Sequence, residues 1–239
     1  LDIDNFTKVQ KRLVKNGMRK GFACLFYGSP GTGKTETVYQ VARQTGRDIM
    51  YVNVSEIKSM WVGESEKNIQ ALFDRYRVLL QQTEHAPILL FNEADAVIGI
   101  RQEGAQRAVD KMENSIQNII LQEMEKLEGI MIATTNLTQN LDPAFERRFL
   151  FKIEFEKPNL EAKRAIWHSM IPSLSETDAT ILAKSYDFSG GQIENIALKG
   201  IIDHIIRGRR STLSMLHDYC KHELIHTKNI QRQPIGFRR

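Results

Sequence analysis

The chain has 239 residues, a net charge of +4, 41% hydrophobic residues and 26% charged residues. That length suffices for one large domain or two modest ones, and the composition is that of a globular protein rather than a disordered or fibrous one. The mild charge disfavours a dedicated nucleic-acid binder, and no apolar run approaches the ~20 residues a membrane helix needs.

The opening stretch, LDIDNFTKVQKR, is polar and mixed in charge, unlike a signal peptide. It has no initiator Met, as expected of a fragment of a longer chain. Two cysteines, Cys24 and Cys220, with no export signal predict a reducing, cytoplasmic compartment. Five short apolar runs then follow: FACLFYG (22–28), DIMYVNV (48–54), APILLFN (86–92), GIMIATT (129–135) and FLFKIEF (149–155). All but the last are nearly continuous in apolar or small residues, as in strands buried on both faces. Amphipathic stretches lie between them. In ENSIQNIILQEMEKLEG, Ile116, Ile120, Met124 and Leu127 recur at helical spacing. This alternation predicts an α/β domain over 1–157, a parallel five-stranded sheet sandwiched by helices.

After Lys157-Pro158 the pattern changes and no strand-like run stands out. The spacing predicts helices at 160–170, 176–186, 191–207 and 212–226, and so a small all-helical domain over 158–239. The cluster of Arg207, Arg209 and Arg210 reads as a solvated helix end. His217, His222 and His226 gather near Cys220, but only His222 and His226 share a helix face, which argues against zinc.

The strongest motif is GSPGTGKT, residues 28–35, which satisfies G-x-x-x-x-G-K-[ST] in full. It follows a strand and precedes a helical pattern, the context the motif requires. Gly28, Gly31 and Gly33 let the backbone curl until successive N–H groups face one point. Ser29, Pro30 and Thr32 fill the turn, and the helix behind it adds its positive end. Lys34 then reaches the β- and γ-phosphates of a nucleotide, the Thr35 hydroxyl is placed for Mg²⁺, and Glu36 completes the nucleotide-binding set.

The third run ends in ILLFNEAD. In hydrolases with such a loop, the first acid after the strand supports Mg²⁺ and the second polarises the attacking water. Here Glu93 keeps the second role, while Asn92 stands in the first position. Asn92 can still accept a hydrogen bond through its amide oxygen, so weaker metal support and slow turnover are expected. Asp95 lies past the strand end and is a poor replacement.

In their order along the chain these motifs resemble the AAA+ ATPases, in the AAA branch of protein-remodelling hexamers. The resemblance runs from about Gly21 to Ile206 and implies an ATP-hydrolysing, chaperone-like module with ATP and Mg²⁺ as ligands. Within KSMWVGESEKNI, Trp61, Val62 and Gly63 match the branch's pore loop, which grips a polypeptide client. IATTN matches the sensor 1 strand, with Asn136 placing the attacking water. LDPAFERRF matches the arginine-finger segment, so Arg147 or Arg148 would reach the nucleotide of a neighbouring subunit in a homo-oligomeric, hexameric ring. FSGGQIEN matches the sensor 2 region, where Gly190 and Gly191 take the place of an arginine and let the lid backbone approach the nucleotide; Ser189 caps that helix and Glu194 suits its first turn. The upstream segment that lines the adenine pocket in the family is short or altered here. Two rival readings are a non-hydrolysing, nucleotide-binding scaffold with an Asn92-weakened metal site and a nucleic-acid motor. The mild charge and the Trp-Val-Gly loop count against the second.

Overall fold

A computed structural model of the chain describes residues 6–17, 20–54, 65–100, 108–208 and 211–224. The chain divides into two compact units, Leu1–Glu156 and Lys157–Arg239. Among the described residues no helix is long and apolar enough to cross a membrane.

The first unit holds five strands: β1 (Phe22–Gly28), β2 (Ile49–Asn53), β3 (Ile88–Asn92), β4 (Ile130–Thr135) and β5 (Phe151–Phe155). All pair in parallel, in the order β2-β3-β4-β1-β5. The helices interleaved with them are α1 (Phe6–Lys15), α2 (Lys34–Thr45), α3 (Ser65–Gln82), the short α4 (Asp95–Ile98), α5 (Ala108–Glu125) and the short α6 (Pro143–Glu146).

The near-continuous apolar runs of the inner strands have a simple cause. Successive side chains point to opposite faces, and both faces are covered. Ala23, Leu25, Leu89, Phe91, Met131 and Ala133 join one core with Ile69, Phe73 and Tyr76 of α3 and Ile116, Ile120 and Met124 of α5. Their neighbours Cys24, Phe26, Ile88, Leu90, Ile130 and Ile132 join the opposite core with Val38 and Ala42 of α2. Fully burying each large aliphatic side chain is worth about 1.5–3 kcal/mol, so the central strands are firmly anchored and their C-terminal ends lie at fixed points. The same burial pushes the Cys24 thiol up to about 12, which keeps it protonated and inert. The two edge strands differ: β2, despite its nearly continuous apolar run, fully buries only Val52 and exposes Tyr51, so it is not covered on both faces as its sequence suggests, and β5 is more open still. Its residues 151–154 are exposed, in line with the polar Lys152 and Glu154 that interrupt its apolar run.

The second unit is helical in its described part: α7 (Leu160–Met170), α8 (Glu176–Ser185), α9 (Gly190–Arg207) and α10 (Leu213–Glu223). Trp167, Leu182, Phe188, Ile193, Ile196 and Leu216 form its core. Each helix begins at a side-chain cap, from Asn159, Ser175, Ser189 and Thr212 respectively. At α9 the cap is a reciprocal box between Ser189 and Gln192. Glu194 therefore falls outside the first turn, because the helix starts one residue earlier, at Gly190, than the spacing suggests. Gly190 and Gly191 open that helix.

Candidate active site

The loop from Gly28 to Gly33 joins β1 to α2 at the C-terminal edge of the sheet, where open α/β sheets form ligand crevices. Gly28, Gly31 and Gly33 have φ of 137°, 73° and 90°, a region that glycine enters without strain. At Gly28 an added Cβ would lie 2.3 Å from the Phe155 carbonyl oxygen of β5. The first glycine of the motif is thus required by close approach as well as by its dihedral angle. The Thr32 hydroxyl donates to the Ser29 carbonyl at 2.8 Å and closes the turn around Pro30 and Gly31.

Lys34, Thr35 and Glu36 form the first turn of α2, which has Gly33 at its cap and no side-chain cap. The leading N–H groups of a helix have no intrahelical partner and carry the positive end of its dipole. Lys34 is only 8% exposed. Its ammonium donates to the Gly28 carbonyl at 2.8 Å, the Ser29 carbonyl at 2.8 Å and the Asn136 amide oxygen at 3.0 Å. Those three bonds use all three of its protons. Burial lowers the basicity of this ammonium, and the negative charge of Asp95 partly opposes that shift.

The ends of β3 and β4 meet this loop. The amide oxygen of Asn92 accepts from the Thr35 hydroxyl at 2.7 Å and from the Thr134 hydroxyl at 3.0 Å. Thr35 thus gives its proton to Asn92 and keeps its oxygen lone pairs for a cation. Glu93 follows with φ 53°, a left-handed conformation that costs a non-glycine residue about 1–3 kcal/mol and is met mostly at functional sites. Two bonds to Thr134 hold it there: the Glu93 N–H donates to the Thr134 hydroxyl at 3.1 Å, and the Ala94 N–H donates to the Thr134 carbonyl at 2.8 Å. The Glu93 side chain is exposed at the sheet edge.

Arg147 and Arg148 follow α6, whose first turn is set by Pro143 and by the Asp142 side chain accepting from the Ala144 N–H at 2.6 Å. The two arginines differ sharply. Arg148 donates to the Leu121 carbonyl at 3.2 Å, to the Ala144 carbonyl at 2.8 Å and to Glu125, and its side chain is 14% exposed. Arg147 is exposed. The segment is stapled to the chain beyond Glu93, since the Asp142 N–H donates to the Ile98 carbonyl at 2.9 Å and the Ile100 N–H to the Asn140 carbonyl at 3.1 Å.

Lys34, Thr35, Asn92, Glu93 and Asn136 are therefore brought together. Gly190 and Gly191 belong to the second unit, and Trp61, Val62 and Gly63 lie outside the described residues. Two participants are not evident from motif order. Thr134 and Thr135 are 2% and 1% exposed, and their hydroxyls take up opposite partners, Asn92 and Asp95. The signal for them was the pair of hydroxyl residues ending an otherwise aliphatic strand, since a buried hydroxyl needs a partner. Asp95 does not occupy the place of the missing acid; it is bonded to the end of β4. Among the described residues no group of three or more His, Cys, Asp or Glu side chains could hold a metal ion; His226 lies outside them.

Residues 24–157 match the family model described as "ATPase family associated with various cellular activities (AAA)". The ATP-dependent zinc metalloprotease FtsH 1 of Bdellovibrio bacteriovorus is 34% identical over 206 residues, 82% of this chain and 31% of that protein. The proteasome-associated ATPase of Thermobifida fusca is 34% identical over 167 residues, 62% of this chain and 28% of that one. The chain spans about a third of the length of the curated relatives it matches. Among solved structures, a chain of the HORMA:CdnC:Trip13 complex of E. coli MS115-1 superposes with a TM-score of 0.72 at 22% identity, over 92% of this chain and 84% of that chain. At that identity the likeness concerns the fold.

Proposed function

The chain belongs to the AAA family of ATPases, and from that premise we propose that it hydrolyses ATP as one subunit of a hexameric ring that remodels or threads a polypeptide. The observation that carries this reading is the meeting of Lys34, Thr35, Asn92, Glu93 and Asn136 at one sheet edge. The α2 amides and the Lys34 ammonium hold the phosphates, with phosphate oxygens replacing some of the lysine's loop carbonyls. Glu93 takes the proton of the attacking water, and Asn136 orients that water. Arg147, the exposed arginine, acts on the nucleotide of the next subunit, while Arg148 braces α6 against α5 within its own subunit. The Thr35 hydroxyl oxygen would hold Mg²⁺, which would neutralise charge on the β- and γ-phosphates, while Asn92, whose amide oxygen takes the Thr35 and Thr134 hydroxyls, would orient Thr35. The residues present fit that ion, but the neutral Asn92 adds no charge to attract it.

Assembly is supported by an exposed aliphatic face on α9, formed by Leu198, Ile201, Ile202, Ile205 and Ile206; apolar patches of this kind mark interaction surfaces. A protein client is supported by the relatives named as a protease and a proteasome-associated ATPase and by the resemblance of Trp61, Val62 and Gly63 to a pore loop. Replacing Trp61 with Ala is expected to abolish stimulation of turnover by an unfolded protein. Stimulation equal to wild type contradicts the threading role.

Metal support is tested by titrating Mg²⁺ against turnover. A unit charge about 4 Å from another is worth about 1 kcal/mol even in bulk water. Asn92→Asp should therefore lower the Mg²⁺ concentration for half-maximal turnover by about fivefold or more. An unchanged half-saturation contradicts this role of Asn92. The rival reading, a nucleotide-binding scaffold, is favoured by Asn92 alone, and it predicts turnover in Asn92→Asp but none in wild type.

A further inference from the structure

The backbone ladder between β3 and β4 ends at Phe91↔Ala133. Beyond that pair the two strand ends stay joined by one backbone bond, from the Ala94 N–H to the Thr134 carbonyl at 2.8 Å, and by side chains. One bridge runs from Thr134 to Asn92 and to the Glu93 N–H. A second runs through Asp95, at the head of α4. A single oxygen of its carboxylate, Oδ1, accepts the Asn136 N–H at 3.0 Å and the Thr135 hydroxyl. The Thr135 oxygen in turn accepts the Leu137 N–H at 3.0 Å. Thr135 and Asn136 directly, and Leu137 through the Thr135 hydroxyl, are thus tied to one carboxylate in the turn from which the Asn136 amide reaches Lys34 at 3.0 Å.

We propose that Asp95 is a positioning residue of this site: its carboxylate pins the Thr135–Leu137 turn and so fixes the Asn136 amide relative to Lys34 and to the water attacking the γ-phosphate. This rests on the hydrolase reading above. Two features make the anchor effective. Hydrogen bonds to an ionised acceptor are shorter and roughly twice as strong as neutral ones. Asp95 also follows Ala94 and the left-handed Glu93, so the same short turn sets the base and, through Asp95, the group that orients its water. A misplacement of about 1 Å at such a group costs about 10²-fold in rate.

The test is a double-mutant cycle in the intact protein, read as kcat and as ATP affinity. Asp95→Ala is expected to lower kcat by about 10²-fold while changing ATP affinity by about threefold or less. Asp95→Asn keeps an acceptor oxygen of the same shape and should recover to within about tenfold of wild type. Because Asp95 acts through Asn136, adding Asp95→Ala to Asn136→Ala should cost little more than Asn136→Ala alone. Losses that multiply, a loss confined to affinity, or equal losses in Asp95→Ala and Asp95→Asn would each overturn the proposal. If Asp95→Ala fails to fold, Thr135→Val removes one leg of the anchor with little change of shape, and the same coupling to Asn136→Ala is read from it. Amide hydrogen exchange at Asn136 and Leu137, whose N–H groups the anchor takes, gives a readout independent of turnover. Asp95→Ala should lose protection there and Asp95→Asn keep it, and unchanged exchange in Asp95→Ala contradicts the anchor. A wild type with no turnover would sink the hydrolase reading, while the exchange result would still decide this one.

Discussion

Glu93→Gln should lower kcat by about 10²–10⁴-fold, the range a positioned general base contributes, with ATP affinity retained. Glutamine preserves the length and shape of the side chain but cannot accept a proton from water. The backbone that aims it is unchanged by the substitution, because the Glu93 conformation is held by Thr134 through the Glu93 and Ala94 N–H groups rather than by its own carboxylate. The phosphate contacts assigned to Lys34 and the α2 amides are equally untouched. Single-turnover rates with separately measured ATP affinity check this. A Glu93→Gln protein that turns over within about threefold of wild type contradicts the assignment of the base, since the expected minimum is about 10²-fold.

The second large effect separates two adjacent arginines. Arg147→Ala should reduce turnover of the assembled protein by about 10³–10⁵-fold, as loss of an arginine finger does in other phosphoryl-transfer systems, with no loss of stability. Arg148→Ala should act on the fold. Its guanidinium serves two backbone carbonyls and Glu125 at a site with little solvent, and leaving such acceptors unpaired costs about 1–3 kcal/mol. Denaturant unfolding of both variants distinguishes these outcomes. The action in trans has its own signature. Mixing Arg147→Ala with Glu93→Gln subunits places an intact base beside an intact finger at some interfaces and should restore part of the turnover. No restoration on mixing, with both variants assembled, contradicts a finger supplied by the neighbour.

Much of the fold is legible in the sequence because burial on both sheet faces leaves a strong local mark. Ile88–Phe91 and Ile130–Ala133 are continuous apolar runs since alternate residues enter different cores. The observed strands fall within two residues of those runs. The helical second unit is marked by caps at Asn159, Ser175, Ser189 and Thr212, which act on neighbours three residues away. Non-local relations leave no such mark. The strand order β2-β3-β4-β1-β5 brings Asn92 against Thr134, 42 residues later, and no local pattern encodes that pairing. Arg147 and Arg148 are identical and adjacent, and what separates them is α5, which offers the Leu121 carbonyl and Glu125 to one of them. The place of Asp95 past the strand end makes it a poor metal support, and its partners agree: its carboxylate faces Thr135 and Asn136, while Asn92 faces Thr35.

The central claim is that Asn92 weakens metal support without ending the chemistry. Its amide oxygen still takes the Thr35 hydroxyl at 2.7 Å, and Glu93 stands beside it in a left-handed conformation held by Thr134. The most direct measurement is steady-state ATP turnover by the wild-type protein across protein and Mg²⁺ concentrations. The expected result is turnover that rises steeply with protein concentration as subunits assemble and needs more Mg²⁺ than Asn92→Asp does. Wild-type protein that turns over no ATP at any concentration, beside an active Asn92→Asp, would contradict it.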